Sequence, residues 1–466
     1  MSRPPSWTLG FLLGLGACAP AQDRGATVLY ASGADLQSIN PLLTVHPLAR
    51  QVQRFVLLTT LVRYDSALVP QPYLARDWSW SADKRTLRLR LVRGVRWDDG
   101  APTTARDVRW TLDAARDPIV GYPRLGDLAD LDSVLAPDDT TVVLGFSTPQ
   151  AGLPDVLTDL AILPAHLLDS VPRESLRRAE WNQRPVGNGP FRFVRHEPNR
   201  RWVFAANPDF PTTLGGRPGI ARLVIAVVDE PVTKLAALVD GELDFAGIQP
   251  AHAAYVRRDP RLQVLDYPLL FTYGLVFNLR RAPFDRVDIR RRISDALDRR
   301  ELVEGYVYGY GTPATGPVPP GIALRPAAFR PAPERTLELL TVGSGEGALE
   351  QMVQAQLARA GFHVTIRQLE LSAFLDRLYG PAHDFDAAIL GIPGDLGLGY
   401  LGPLASLAGI RAPRDAAAAE QMFADSVPVA FLYHARGLQG MNRRVHGVRM
   451  DVRGELVTVH DWRVER

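Results

Sequence analysis

ARLVIAVVDEPVTKLAALVDGELDFAGIQPAHAAYVRRDPRLQVLDY, residues 221–267, alternates two kinds of segment. Ala221–Val228 is β-branched and apolar, the composition of a strand buried on both faces. Pro231 stands where a helix begins; Val232, Leu235, Ala236 and Val239 fall on one helical face, and Gly241 closes it. Leu243–Ile248 then reads as a strand, Ala251–Arg258 as a helix and Leu262–Tyr267 as a strand. Strands alternating with helices of this length predict βαβ units and mostly parallel sheet.

A second run repeats the rhythm. Thr336–Val342 reads as a strand, Met352, Val353, Gln356, Leu357 and Ala360 line a helix stopped by Gly361, and His363–Leu369 alternates as a strand. A helix over Ala373–Tyr379 and a strand over Asp386–Leu390 follow. Two such runs in separate halves predict two α/β lobes rather than one long sheet. Between them, Ile289, Ile293, Ala296, Leu297 and Val303 recur at helical spacing, which predicts one helix over Val287–Val303, capped by Asp285 or Asp288. Its arginines lie mostly off the apolar stripe and read as a solvated face. Thr312–Pro333 is too rich in Pro and Gly for a regular helix or a central strand and reads as an ordered crossing over one lobe. In residues 86–97, Leu87, Leu89 and Leu91 share one face of a two-sided strand or hairpin.

The chain has 466 residues, enough for two or three lobes, with 46% apolar and 22% charged residues, as in an ordinary globular protein. A net charge of +2 argues against a phosphate-tracking nucleic-acid binder. Lys84 and Lys234 are the only lysines, so the arginine content reflects compositional bias. The single cysteine, Cys18, allows neither an intrachain disulfide nor a thiolate metal cluster. Arg3, the apolar stretch Trp7–Gly16 and Leu15-Gly16-Ala17-Cys18 resemble a lipoprotein signal peptide and lipobox. On that reading residues 1–17 are cleaved, Cys18 is lipidated, and 18–25 form a tether to the membrane.

Catalytic patterns are absent. The nine histidines include no pair at metal-ligand spacing, and neither HExxH nor G-x-S-x-G occurs. Gly343-Ser344-Gly345-Glu346-Gly347 lacks the Lys-Ser/Thr of a phosphate loop. The expectation is a protein that is not an enzyme, with no metal and no cofactor.

Leu74-Ala75-Arg76-Asp77-Trp78, Ser81-Ala82-Asp83, Arg93-Gly94-Val95-Arg96-Trp97-Asp98-Asp99-Gly100-Ala101-Pro102 and Ala105-Arg106-Asp107-Val108 stand in sequence. Pro185–Phe191 (PVGNGPF), Asn207-Pro208-Asp209-Phe210, Gly241-Glu242-Leu243-Asp244, and Asn278–Asp285 with the helix around Arg299 follow in order. Together they resemble the bacterial extracellular solute-binding protein family 5, the peptide/nickel type. The resemblance implies a two-lobed periplasmic-binding-protein fold (type II, with an extra subdomain in the first lobe) that closes on its ligand at a two-strand hinge. Lobe I would comprise 26–270 plus 432–466, with a subdomain at about 66–170, and lobe II 271–431. The crossings would fall near Leu270–Tyr273 and Pro428–Tyr433.

The implied function is extracytoplasmic capture of peptides or similar small solutes for ABC permease subunits, by a monomer held to the membrane by its lipid. Ligand contacts are expected at Tyr273 and Asn278, with sheet packing as the alternative, and at Asn40 and Asp395. One departure stands out. Gly394–Gly409 is Gly/Leu-rich, and a single short helix, Ala416–Asp425, precedes Ser426–Ala430, so lobe II is shortened where the family often contacts its ligand. That motivates two alternatives: an envelope lipoprotein that retains the fold for signalling or assembly, and a receptor for nickel or haem complexes.

Overall fold

The computed structural model describes residues 25–44, 46–319, 335–343, 347–407 and 416–465. Cys18 and the leader lie outside the described residues. In the first lobe, Thr27–Ser32 runs parallel to Arg222–Val227 and to Phe245–Gly247. The helix Pro231–Val239 connects the last two: Pro231 occupies its first turn, the Glu230 carboxylate accepts the Thr233 N–H, and Gly241 adopts φ +75° at its exit. In the second lobe, Arg335–Val342 runs parallel to Phe362–Leu369 and Ala387–Pro393.

The sheet is mixed rather than mostly parallel. Parallel pairing is confined to the βαβ centre of each lobe, and antiparallel strands join and extend them. Leu262–Phe277 and Val429–Asn442, 16 and 14 residues long, pair antiparallel and pass through both lobes. Through them the strands form one 11-stranded sheet, ten on a continuous path and Gly311–Pro313 paired off it, although the cores on either side are separate clusters. The ladder breaks between Pro268 and Thr272, the passage between lobes. On the partner strand the break falls at Ala435, between Arg436 and His434, and Phe431, Leu432 and Tyr433 are buried in second-lobe cores.

The single helix expected over Val287–Val303 is two, Val287–Ala296 and Arg299–Tyr306. Asp298 sits at the break, where its side chain accepts the N–H groups of Arg300 and Glu301. Arg286, without a side-chain cap, precedes the first helix in place of Asp285 or Asp288. Two arginines of this segment are not solvated. Arg290 is buried and donates to the carbonyls of Val427 (2.9 Å), Phe284 (2.6 Å) and Ser426 (2.5 Å). Arg299 donates to those of Ala314, Phe431, Ser294 and Leu297. A guanidinium's five N–H groups satisfy carbonyls that strand and helix ends leave open.

Gly311–Pro313 of the Pro/Gly-rich run pairs as a strand with Tyr433–Ala435, and Ala314 and Val318 are buried in the core below. The rest of the run, from 320, lies outside the described residues.

Residues 75–146 build a separate four-stranded antiparallel sheet, Ala75–Trp80, Thr86–Leu91, Thr141–Phe146 and Leu131–Asp138 in spatial order. Thr86–Leu91 alternates exposed and buried as its sequence requires, and each buried leucine contributes roughly 1.5–3 kcal/mol. The helix Ala105–Arg116 packs on this sheet; Asp107 reaches back to the Thr104 N–H (2.8 Å) and also accepts that of Ala165 (2.8 Å).

The family-like motifs meet behind the lobe surface. Asp98 N–H donates to the Gly187 carbonyl (2.8 Å), Asn188 accepts the Thr59 N–H (2.9 Å), and Asn207 donates to the Gly189 carbonyl (3.1 Å). Side chains at Gly187 and Gly189 would strike the Leu57 backbone at 2.2 and 2.5 Å. These motifs clamp a tight approach of chain segments, and none of these residues lines the cavity between the lobes.

Candidate functional site: the cleft between the lobes

A cavity of about 700 Å³ lies between the lobes. Leu269, Leu270 and Phe271 form its floor, where the first crossing strand leaves the ladder. The first-lobe wall carries Arg50, Gln51, Tyr122, Arg124, Asp127, Asp159 and Glu455; the facing wall is Leu390–Asp395 with Tyr400 and Leu404. The helix Leu371–Tyr379 buries Phe374 and Leu378 in its own core and turns Leu375 and Tyr379 to the cavity.

The facing wall is held in place by its own contacts. Gly394 N–H bonds the Leu270 carbonyl (2.6 Å), which fixes the loop to the floor. Leu398, Leu401 and Leu404 anchor in a core with Phe423 and Phe431, and the Tyr400 hydroxyl donates to the Pro317 carbonyl (2.8 Å). The Gly/Leu-rich stretch holds a helix, Leu401–Leu407, that sequence did not suggest.

Charge in the first-lobe wall converges on Asp159. Arg50 Nη2 and Arg124 Nη1 lie 2.6 and 2.7 Å from its Oδ2, and Arg54 Nη1 lies 2.8 Å from its Oδ1. Burial alone would raise this carboxyl, but Arg54, Arg50 and Arg124 outweigh it and hold the pKa well below the usual range. Burial also lowers Arg54 to about 10, leaving it a cation at neutral pH. Arg124 continues to Asp127 (Nε to Oδ2, 2.6 Å) and reaches across the cleft to Asp395 Oδ1 at 3.9 Å. Burial would lower Arg124, yet Asp159, Asp127 and Asp395 together raise it. This fixed array can orient a zwitterion: Asp395 presents an acceptor on one wall and the arginines donors on the other.

Of the four residues expected at the ligand, Asp395 lines the cavity. Asn40 is buried beside wall residue Pro41; its Nδ2 donates to Asn182 Oδ1 (2.9 Å), and its Oδ1 accepts the Leu42 N–H (3.0 Å). Tyr273 lies past the floor, stacked on Tyr433 with ring centroids 4.9 Å apart. Asn278 is buried at the strand end, its Nδ2 donating to the carbonyls of His383 (2.7 Å) and Phe385 (2.8 Å) and its Oδ1 accepting the Arg280 N–H (3.1 Å). The structure does not bring these four together. Sequence reasoning missed Arg50, Arg124, Asp159 and Glu455, which stand outside every motif; Phe271, a neighbour of Tyr273, was within reach.

Comparison with known proteins agrees with this architecture. A family profile described as Bacterial extracellular solute-binding proteins, family 5 Middle, matches residues 69–341. A putative ABC transporter peptide-binding protein of Brucella ovis is 30% identical over 242 residues, 52% of this chain and 45% of its own length. The chain thus spans about half the length of the Brucella relatives it matches. Di/tripeptide-binding protein 2 of Pseudomonas aeruginosa is 28% identical over 359 residues, 67% of this chain and 66% of its own. Among solved structures, the oligopeptide-binding protein AppA of Bacillus subtilis, in complex with a nonapeptide, superposes with a TM-score of 0.78 at 20% identity, covering 94% of this chain and 99% of its own. NikZ of Campylobacter jejuni, in complex with Ni(L-His), gives 0.78 at 18% identity, with 94% and 99% covered. These likenesses show the two-lobed fold.

Proposed function

This chain belongs to the bacterial extracellular solute-binding proteins, family 5, and from that premise we propose that it captures small peptides outside the cytoplasm for an ABC importer. The observation that carries the reading is the cavity itself: about 700 Å³, walled by both lobes, with Arg124 on one wall 3.9 Å from Asp395 on the other. That volume falls within the roughly 300–1,000 Å³ of small-molecule sites. A peptide enclosed there presents its ammonium to Asp395 and its carboxylate toward Arg50 and Arg124, while its side chains meet Phe271, Tyr379 and Tyr400. Closure follows because the ligand touches both walls only when they face each other.

The handover partner is a permease, and Cys18 would carry the lipid that keeps the receptor beside it. The names of the Brucella and Pseudomonas relatives support peptide as the ligand class. Thermal-shift measurements on the purified protein with di- and tripeptides, with nickel chelates as a separate arm, test this. Stabilisation by peptides is expected. Asp395→Asn should weaken peptide binding roughly 10- to 100-fold, the range for a hydrogen bond to a charged group. A flat response to every peptide would discard the reading.

A further inference from the structure

The acidic groups of the cleft are not equivalent. Asp159 holds three guanidiniums, Asp127 holds Arg124, and Asp395 faces Arg124 at 3.9 Å. Glu455 also lines the cavity, yet among the described residues no Lys, Arg or His nitrogen lies within ion-pair distance of it. Its nearest arginine in sequence, Arg453, turns away to Asp451 (2.6 Å) and the Tyr64 carbonyl (2.9 Å).

Two phenols hold the Glu455 carboxylate. Tyr267 donates to Oε1 (2.8 Å) and Tyr30 to Oε2, and Gln439 Nε2 in turn donates to the Tyr30 hydroxyl (2.8 Å). Burial first, and Glu455 next, raise both phenols well above their ordinary range, so they stay neutral donors. Glu455 therefore has hydrogen bonds and a fixed orientation but no counter-charge, in a site that a bound ligand would dry further. A charge taken out of water without a partner is costly, and a cation supplied by the ligand removes that cost.

We propose that Glu455 is a cation-recognising subsite of the cleft, and that the favoured ligands carry a positive side chain, an ammonium or guanidinium, beyond their terminal ammonium. The inference rests on the peptide-capture reading and narrows its substrate class. If Glu455 served only as an acceptor for Tyr30 and Tyr267, ligand charge would not matter.

The test is isothermal titration of the full chain with alanyl-lysyl-alanine, alanyl-arginyl-alanine and the uncharged near-isostere alanyl-norleucyl-alanine, repeated on Glu455→Gln. Glutamine keeps an acceptor and the length of the side chain. On the native protein the basic peptides should bind about tenfold or more tighter than the norleucine peptide, as a desolvated charge pair allows. In E455Q that ratio should fall to near one, while the unliganded melting temperature holds or rises. Equal affinities on the native protein overturn the inference, as does a ratio that survives in E455Q. Should E455Q melt low, the lysine-to-norleucine ratio of the native protein still decides. Failure of all three peptides to bind overturns the capture reading and this inference together; binding without charge preference overturns this inference alone.

Discussion

His434 sits at the passage between the lobes, buried, with Nδ1 2.9 Å from the Thr272 hydroxyl on the facing strand. Burial pushes its pKa down to about 4, from about 6.5 in an unfolded chain. Between those values the unfolded state binds the proton and the folded state does not. His434 therefore contributes stability that is complete above about pH 6.5 and is lost as pH falls towards 4, up to about 3 kcal/mol. Asp98 works in the opposite sense, since burial pushes its carboxyl up to about 7 against the Gly187 N–H and Arg192. The informative quantity is thus a difference between variants. Denaturant unfolding at pH 7 and pH 4.5 should show a smaller acid-side loss in His434→Gln than in the native protein. Equal losses would mean that this imidazole does not govern acid stability.

Elements are held by close backbone approaches that the motif sequences encode. Gly189 N–H donates to the Leu57 carbonyl (2.9 Å), and a Cβ there would lie 2.5 Å from the Leu57 carbonyl carbon and 2.7 Å from Leu58 N. Backbone cannot swing aside as a side chain can. Gly189→Ala should lower unfolding stability by about 1–3 kcal/mol, as overpacking does. Gly152→Ala, with nothing within 4 Å of its added carbon, should be near neutral in the same denaturant titration. Similar costs at both sites would contradict the clamp. The broken helix at Leu297–Asp298 makes a related point: its apolar spacing was legible, but the cap that splits it competes on equal local terms, and burial of Arg290 and Arg299 against distant carbonyls decides between them.

Across the whole molecule, the two sets of cores are joined by the long crossing strands, with Tyr310 packed against a first-lobe cluster beside them. Trp97, Trp110, Trp181, Trp202 and Trp462 lie in the first-lobe cluster, with Trp78 and Trp80 packed against it, and no described tryptophan lies in the second-lobe clusters. Tryptophan fluorescence therefore reports the first lobe and far-ultraviolet circular dichroism reports both. Without ligand the two denaturation midpoints should separate, and a peptide at 100 times its Kd, worth about 2.7 kcal/mol, should bring them together by tying the walls to each other. Coincident midpoints in the free protein would show that the crossing strands already make one cooperative unit.

Alternation at Leu87, Leu89 and Leu91, the Pro231-to-Gly241 helix and the collinear motifs were legible in the sequence because each is a local matter of period, capping or close approach. They determined the α/β class, the paired lobes and the family. The cleft was decided only in three dimensions. Glu455 meets Tyr30 across 425 positions, and Asp159 gathers arginines from 35 to 109 positions away. No spacing rule reaches so far: which carboxylate finds a cation and which is left facing the cavity depends on where the folded walls come to stand, and the chain sets that through its packing as a whole.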